Sequence, residues 1–225
     1  DGMPAGEPTE DSNHYHSKSS WSYSALGTPQ NPVIVPRPAS NWLPEDGSRI
    51  ELRPGSGTTA GMLVSGMQGT GTEWANMAIR PTAWLNRADA TSGEKILFNS
   101  SAGRWTSSLG SAKVALQIVS ITAGLNIWSS DFTKSINAPG QFIALGTGDS
   151  LFETPVYQVA GNTPVATNFD VTFRLIDLQQ GTGYHPLRDS GELQYRFTTV
   201  PEPGTIAALG LGASLILRRK RKNSR

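Results

Sequence analysis

Two of the three histidines, His14 and His16, stand one residue apart in a polar stretch, and an extended His-X-His pair turns both imidazoles to one side. That spacing suits zinc or copper when further ligands converge, and Glu10, Asp11 and the distant His185 are the residues that could be recruited. A histidine pair with no further motif is ordinarily solvated, so metal binding is kept as an alternative and no cofactor is expected. The chain has no cysteine, which removes disulfides, thiolate metal sites and a thiol nucleophile. Neither a G-x-S-x-G elbow nor an H-E-x-x-H helix occurs. Asp170, Asp177, Asp189 and Glu192 are close in sequence, but Asp170 falls on the outward face of an expected strand and Asp189-Ser190-Gly191 reads as a turn. Paired-carboxylate hydrolysis is therefore not expected. The Gly-rich stretch 55–71 lacks the Gly-Lys-Ser/Thr ending of a phosphate loop and reads as a turn-rich connection. The residues point to no enzyme.

Six tryptophans carry the remaining chemistry: Trp21, Trp42, Trp74, Trp84, Trp105 and Trp128. An indole on an exposed sheet face can stack against a sugar ring, and Trp42, Trp74, Trp84 and Trp105 are the candidates for such a role. Core packing is the ordinary use of the same rings, so glycan binding stands as a second alternative.

The elements that would position these residues are short. From residue 32 onward, brief apolar runs alternate with Gly, Pro, Ser and Asn clusters, which predicts strands at 48–53, 61–64, 77–80, 94–99, 113–122 and 125–128. Alternation is strict over 168–175, with Phe169, Val171, Phe173 and Leu175 on one face, and over 192–200, with Leu193, Tyr195 and Phe197 on one face. The segment 179–191 between them is long enough for a broad hairpin loop. Short helical pieces are expected at 73–78, in competition with the 77–80 strand, and at 82–88. The pattern predicts an all-β fold, an antiparallel β-sandwich of jelly-roll or immunoglobulin-like type over 32–200, with a closed barrel as the alternative. Residues 1–31 read as a polar leader, and no repeat of solenoid or propeller length is present.

Glycine (24) and proline (15) make up about a sixth of the chain, more than usual but short of low-complexity disorder. Charged residues are only 16%, and neutral polar residues take over the surface, as suits an extracellular β-protein. The net charge of +1 hides an asymmetry: Arg218, Arg219, Lys220, Arg221, Lys222 and Arg225 crowd the last eight positions. Residues 1–200 hold 13 basic and 17 acidic side chains, a balance of −4, which speaks against nucleic acid as a partner of the body.

The last segment, 201–225, is built as a membrane device. Pro201-Glu202-Pro203 stops any ladder or helix, because proline lacks the N–H donor and fixes φ. Uncharged residues 204–217 follow, then the basic run. As a helix these fourteen residues reach roughly 21 Å, against about 30 Å of bilayer hydrocarbon, so a short transmembrane helix is expected with its basic end in the cytoplasm. This order of parts resembles the PEP-CTERM signal of exopolysaccharide-producing Gram-negative bacteria. The resemblance covers 26 residues, Val200 to Arg225, and implies Pro201, Glu202 and Pro203 as a recognition handle for an exosortase-type membrane enzyme, with Arg218 to Lys222 as the membrane stop. It further implies export, with a signal peptide once ahead of Asp1, passing retention in the inner membrane, and delivery to the cell surface or matrix. A structural or adhesive role, with exopolysaccharide as a partner, is the expectation for the body.

Overall fold

The computed structural model describes residues 27–33, 42–44, 47–65, 77–101, 103 and 108–200. In chain order its strands are β1 (Trp42–Leu43), β2 (Ile50–Pro54), β3 (Met62–Ser65), β4 (Lys113–Ile121), β5 (Asn126–Trp128), β6 (Ser135–Ile136), β7 (Phe142–Thr147), β8 (Val156–Ala160), β9 (Asn168–Asp177) and β10 (Leu193–Thr199), with helix α1 (Ser92–Asn99) between β3 and β4.

The two strictly alternating segments become β9 and β10, paired so that Phe197 faces Phe169 and Leu193 faces Phe173. Their inward rings are apolar while the other face alternates Asp170, Thr172 and Gln194, so a one-residue slip would turn the aromatic set to water. Asp177 secures the loop that joins them: its carboxylate accepts from the backbone N–H groups of Lys113, Gln179 and Leu187 and from the Tyr184 hydroxyl. Ser190 stitches the returning chain to Leu175 through both its backbone and its hydroxyl.

Strand order runs β6-β5-β8-β3-β2-β10-β9-β4-β7. The hinge of this path is β2, whose Ile50–Leu52 residues pair with β10 and whose Arg53 and Pro54 pair with β3. The two ends of the path, β6 and β7, are joined by residues 137–141, where Ile118 of β4 donates its N–H to Gln141 O and accepts from the Gly140 N–H. The result is a mostly-β fold with a nearly closed, barrel-like sheet.

Several expected elements need correction. The sheet is not wholly antiparallel: β10 lies parallel to both β1 and β2, which share one of its edges. The expected strand 94–99 is helix, because Thr91 and Glu94 form a capping box at 2.7 and 3.3 Å that satisfies the first-turn donors. The expected strand 77–80 shrinks to an isolated bridge between Ile79 and Glu153. The expected helix 82–88 is the 3-10 turn Thr82–Asn86, whereas Met77 and Ala78 lie in no helix and the rest of 73–78 is outside the described residues. Strands β1, β6, β7 and β8 had no expectation. In β8, residues 156–159 are all buried, so no polar alternation marks it. Of the leader 1–31, residues 27–31 are described: they make a turn about Thr28 and Asn31, and Pro29 accepts from the Asn99 side chain. Among the described residues no helix is long and apolar enough to cross a membrane, and the expected span 204–217 lies outside them.

One apolar core fills the interior, with Ile50, Leu52, Ile127, Tyr157, Val171, Phe173 and Phe197 almost wholly shielded. Tyr157 of β8 packs across it, its ring centroid 4.7 Å from Phe197, 5.7 Å from Tyr195 and 6.3 Å from Phe173. The Tyr157 hydroxyl is buried with no hydrogen-bond partner among the described residues, and burial pushes its ionisation well above 10. Removing that hydroxyl while keeping the ring relieves an unmet polar group. Tyr157→Phe is therefore expected to leave stability within about 1 kcal/mol or raise it, whereas Phe197→Ala costs roughly 3–5 kcal/mol through lost burial and a cavity, both read by urea unfolding.

Candidate functional site

A platform of stacked aromatic and guanidinium groups stands beside the 3-10 turn. Ile79 and Glu153 exchange backbone hydrogen bonds of 2.8 and 3.2 Å, which lays residues 78–80 against 152–154. Phe152 is held from the other side by its N–H to Leu145 O at 3.1 Å, and the buried Glu153 carboxylate accepts from the N–H groups of Ser130 and Thr154. Upstream of Phe152 the chain turns at Gly148, whose φ of +54° and close approach to the Gly110 carbonyl leave no room for a side chain. The turn Thr82–Asn86 then folds Trp84 back toward Arg80, its N–H donating to Pro81 O at 3.1 Å.

Arg80 Cζ lies 3.9 Å from the Trp84 ring centroid and 4.4 Å from that of Phe152. Arg87 Cζ lies 3.4 Å from the Trp84 centroid. Two guanidinium groups that close to one centroid would collide on the same face, so they cover opposite faces of the indole. Arg87 is neutralised: it pairs with Glu94 and with Asp89, each at 3.0 Å, and donates to Trp84 O. Arg80 has no ion pair or hydrogen bond among the described residues. Beside it opens a recess of about 360 Å³ lined by Ala78, Arg80, Pro81, Thr82, Trp84 and Leu85.

The tryptophans are thus used in different ways. Trp84, a candidate for sugar stacking, has both faces taken by arginine. Trp42 is 37% exposed on β1 and shares the outward face with Gln194 and Thr172, which follow it in register across β10 and β9, and with Ser120 of β4. Arg196 approaches its ring at 5.9 Å. Trp128 is half-buried on β5 against Phe132, 6.1 Å between centroids. These three rings occupy three separate elements and make no single row. Trp21, Trp74 and Trp105 lie outside the described residues, as do His14, His16, Pro201, Glu202, Pro203, Arg218, Arg219, Lys220, Arg221 and Lys222.

His185 sits in the β9–β10 loop, and among the described residues no group of three or more His, Asp or Glu side chains is placed to hold a metal. Three of the four carboxylates weighed for chemistry are engaged in holding strands: Asp170 accepts from Arg49 at 2.7 Å, Asp189 pairs with Arg174 at 2.9 Å, and Asp177 fixes its loop. Sequence reasoning missed Arg80, Arg87 and Phe152. The spacing Arg80-x-x-x-Trp84-x-x-Arg87 was available as a signal; Phe152 arrives from about 70 positions further on.

Glu94 joins the platform to α1. The Thr91 backbone N–H, followed by the Arg87 guanidinium, holds its carboxyl below the ordinary value of 4.5. A carboxylate that binds its proton less tightly folded than unfolded contributes in full above the unfolded value and loses that contribution as pH falls through the folded one. Amide-exchange protection of α1, corrected for intrinsic rates, is therefore expected to persist from pH 7 to 5 and to decline below 4.5. In Glu94→Gln the acid-dependent part of that decline is absent.

Comparison with known proteins places one part of the chain. No curated protein and no solved structure matches it. A family model described as the PEP-CTERM protein-sorting motif matches residues 199–222, a span that takes in Pro201-Glu202-Pro203, the uncharged segment and the basic run through Lys222. The C-terminal tail of this protein is a PEP-CTERM sorting signal.

Proposed function

We propose that the chain is an exported surface or extracellular-matrix protein of a Gram-negative bacterium, with a structural or adhesive β-domain that an exosortase-type enzyme releases from its membrane tail. The observation that carries this reading is the junction at residue 199. Thr199 is buried at the end of β10, Val200 N–H still donates to Leu52 O, and the sorting motif is matched from 199 onward. The sheet thus ends where the address begins, and cutting beyond Val200 removes no described strand or core residue. In this reading residues 204–217 form a short membrane helix held by Arg218–Lys222 at the cytoplasmic face, which retains the protein in the inner membrane until it is processed. The body is a flattened, two-layered sandwich that catalyses no reaction.

The test is mass spectrometry of the protein from its own cells, with and without the exosortase. The expected result is loss of the segment after Pro203 in the presence of the enzyme, and retention through Arg225 in its absence or when Pro201-Glu202-Pro203 is replaced by alanines. An intact C-terminus on surface-located protein in enzyme-containing cells overturns the reading.

A second reading, a module that binds neutral exopolysaccharide, is favoured by one surface: the exposed Trp42 ring beside the hydrogen-bonding side chains of Gln194, Thr172 and Arg196. Here Trp42→Ala is expected to abolish binding on a glycan array. Undiminished binding by that variant removes the reading.

A further inference from the structure

Among the described residues four arginines pair with acids: Arg49 with Asp170, Arg53 with Glu51, Arg87 with Asp89 and Glu94, Arg174 with Asp189. Arg80 has no such acid among the described residues, and two rings hold its guanidinium. Trp84 at 3.9 Å and Phe152 at 4.4 Å flank it, and they are themselves anchored, Trp84 by the 3-10 turn and Phe152 by a backbone bond to Leu145 of β7. A guanidinium so flanked has lost much of its side-chain freedom before any ligand arrives. Among the described residues no acceptor takes its in-plane N–H groups, and their fork geometry matches a carboxylate. Phe152 is 50% exposed and offers an apolar ring surface next to that fork. The adjoining recess, about 360 Å³, is at the small end of the roughly 300–1,000 Å³ spanned by ligand sites. It is mainly apolar and open on its outer side, so it admits one ring-sized unit of a longer chain.

We propose that Arg80, Trp84 and Phe152 form a binding site for a carboxylate-bearing sugar, a hexuronate unit of an acidic polysaccharide. The carboxylate takes the Arg80 fork in two parallel hydrogen bonds, and the C–H face of the pyranose rests on Phe152 and Pro81. The site is local: residues 1–200 carry a net −4, so an anion is not drawn to the body by its overall charge. Arg87 supports the site from beneath, occupying the far face of Trp84 while Asp89 and Glu94 absorb its charge, which leaves Arg80 as the cation that faces the ligand. This inference goes beyond the sorting reading and does not depend on the tail being cleaved.

The experiment is calorimetric titration of the full chain, in non-ionic detergent, with a galacturonate trimer and with the uncharged galactose trimer. The acidic trimer is expected to bind and the neutral one to bind at least tenfold more weakly. Arg80→Gln should lower the acidic trimer's affinity at least tenfold and Arg80→Lys severalfold, because lysine keeps the charge but lacks the planar fork. Phe152→Ala should weaken it as well. Trp42→Ala should leave it unchanged, which separates this site from the neutral-glycan surface. Equal affinity for the two trimers, or an Arg80→Gln protein that is folded by circular dichroism and binds as the parent does, overturns the proposal. Should that variant unfold, the salt series on the unaltered protein decides: affinity for the acidic trimer falls steeply with ionic strength if the ion pair carries it, and binding indifferent to salt overturns the assignment.

Discussion

The packing of Tyr157 on Phe197, centroids 4.7 Å apart, binds β8 in one half of the sheet to β10 in the other, and the rest of the fold is arranged around that closure. β10 is the last of the described strands, yet it lies between β9 on one edge and the pair β1 and β2 on the other. The core is therefore incomplete until nearly the whole body has been made, and most pairings join residues far apart in sequence. Such non-local closure is entropically demanding and slows folding. It also places the end of the core and the beginning of the sorting motif side by side, so the tail can be handled as a separate unit.

Arginine serves two purposes in this molecule. Arg49 donates to the carbonyls of Phe169 and Phe197 as well as to Asp170, and so fastens the β9–β10 pair. That is a use of the guanidinium as a multiple donor, where lysine would reach fewer partners. At the platform the same group is used for its flat faces: Arg80 and Arg87 enclose Trp84, and what distinguishes them is the supply of acid. Asp89 and Glu94 lie within reach of Arg87, and none reaches Arg80 among the described residues. One indole thus carries one neutralised cation and one that is available.

How much of this was legible in the chain depends on how local the cause was. The β9 and β10 strands were plain because each buries one face only, and Phe169, Val171 and Phe173 alternate with polar partners. β8 was invisible because Val156, Tyr157, Gln158 and Val159 are all covered, which erases the period. The α1 helix was misread as a strand from its apolar residues, although Thr91-Ser-Gly-Glu94 holds the capping signature that decided it. Trp84 stayed a candidate for sugar stacking, beside core packing, because nothing in its neighbourhood tells which faces of the ring are free.

Residue types, their order and their spacing by themselves determined the sorting tail, the β character, the hairpin of the two alternating strands and the acidic balance of the body, since each rests on neighbours within a few positions or on a simple sum of charges. Tertiary structure alone decided that β2 joins the two halves, that β10 has parallel partners, and that Phe152 meets Arg80 across some 70 intervening residues. The physical reason is common to these: which side chains share a core or cover a ring is settled by the free energy of closing the whole sheet, and no local window contains it.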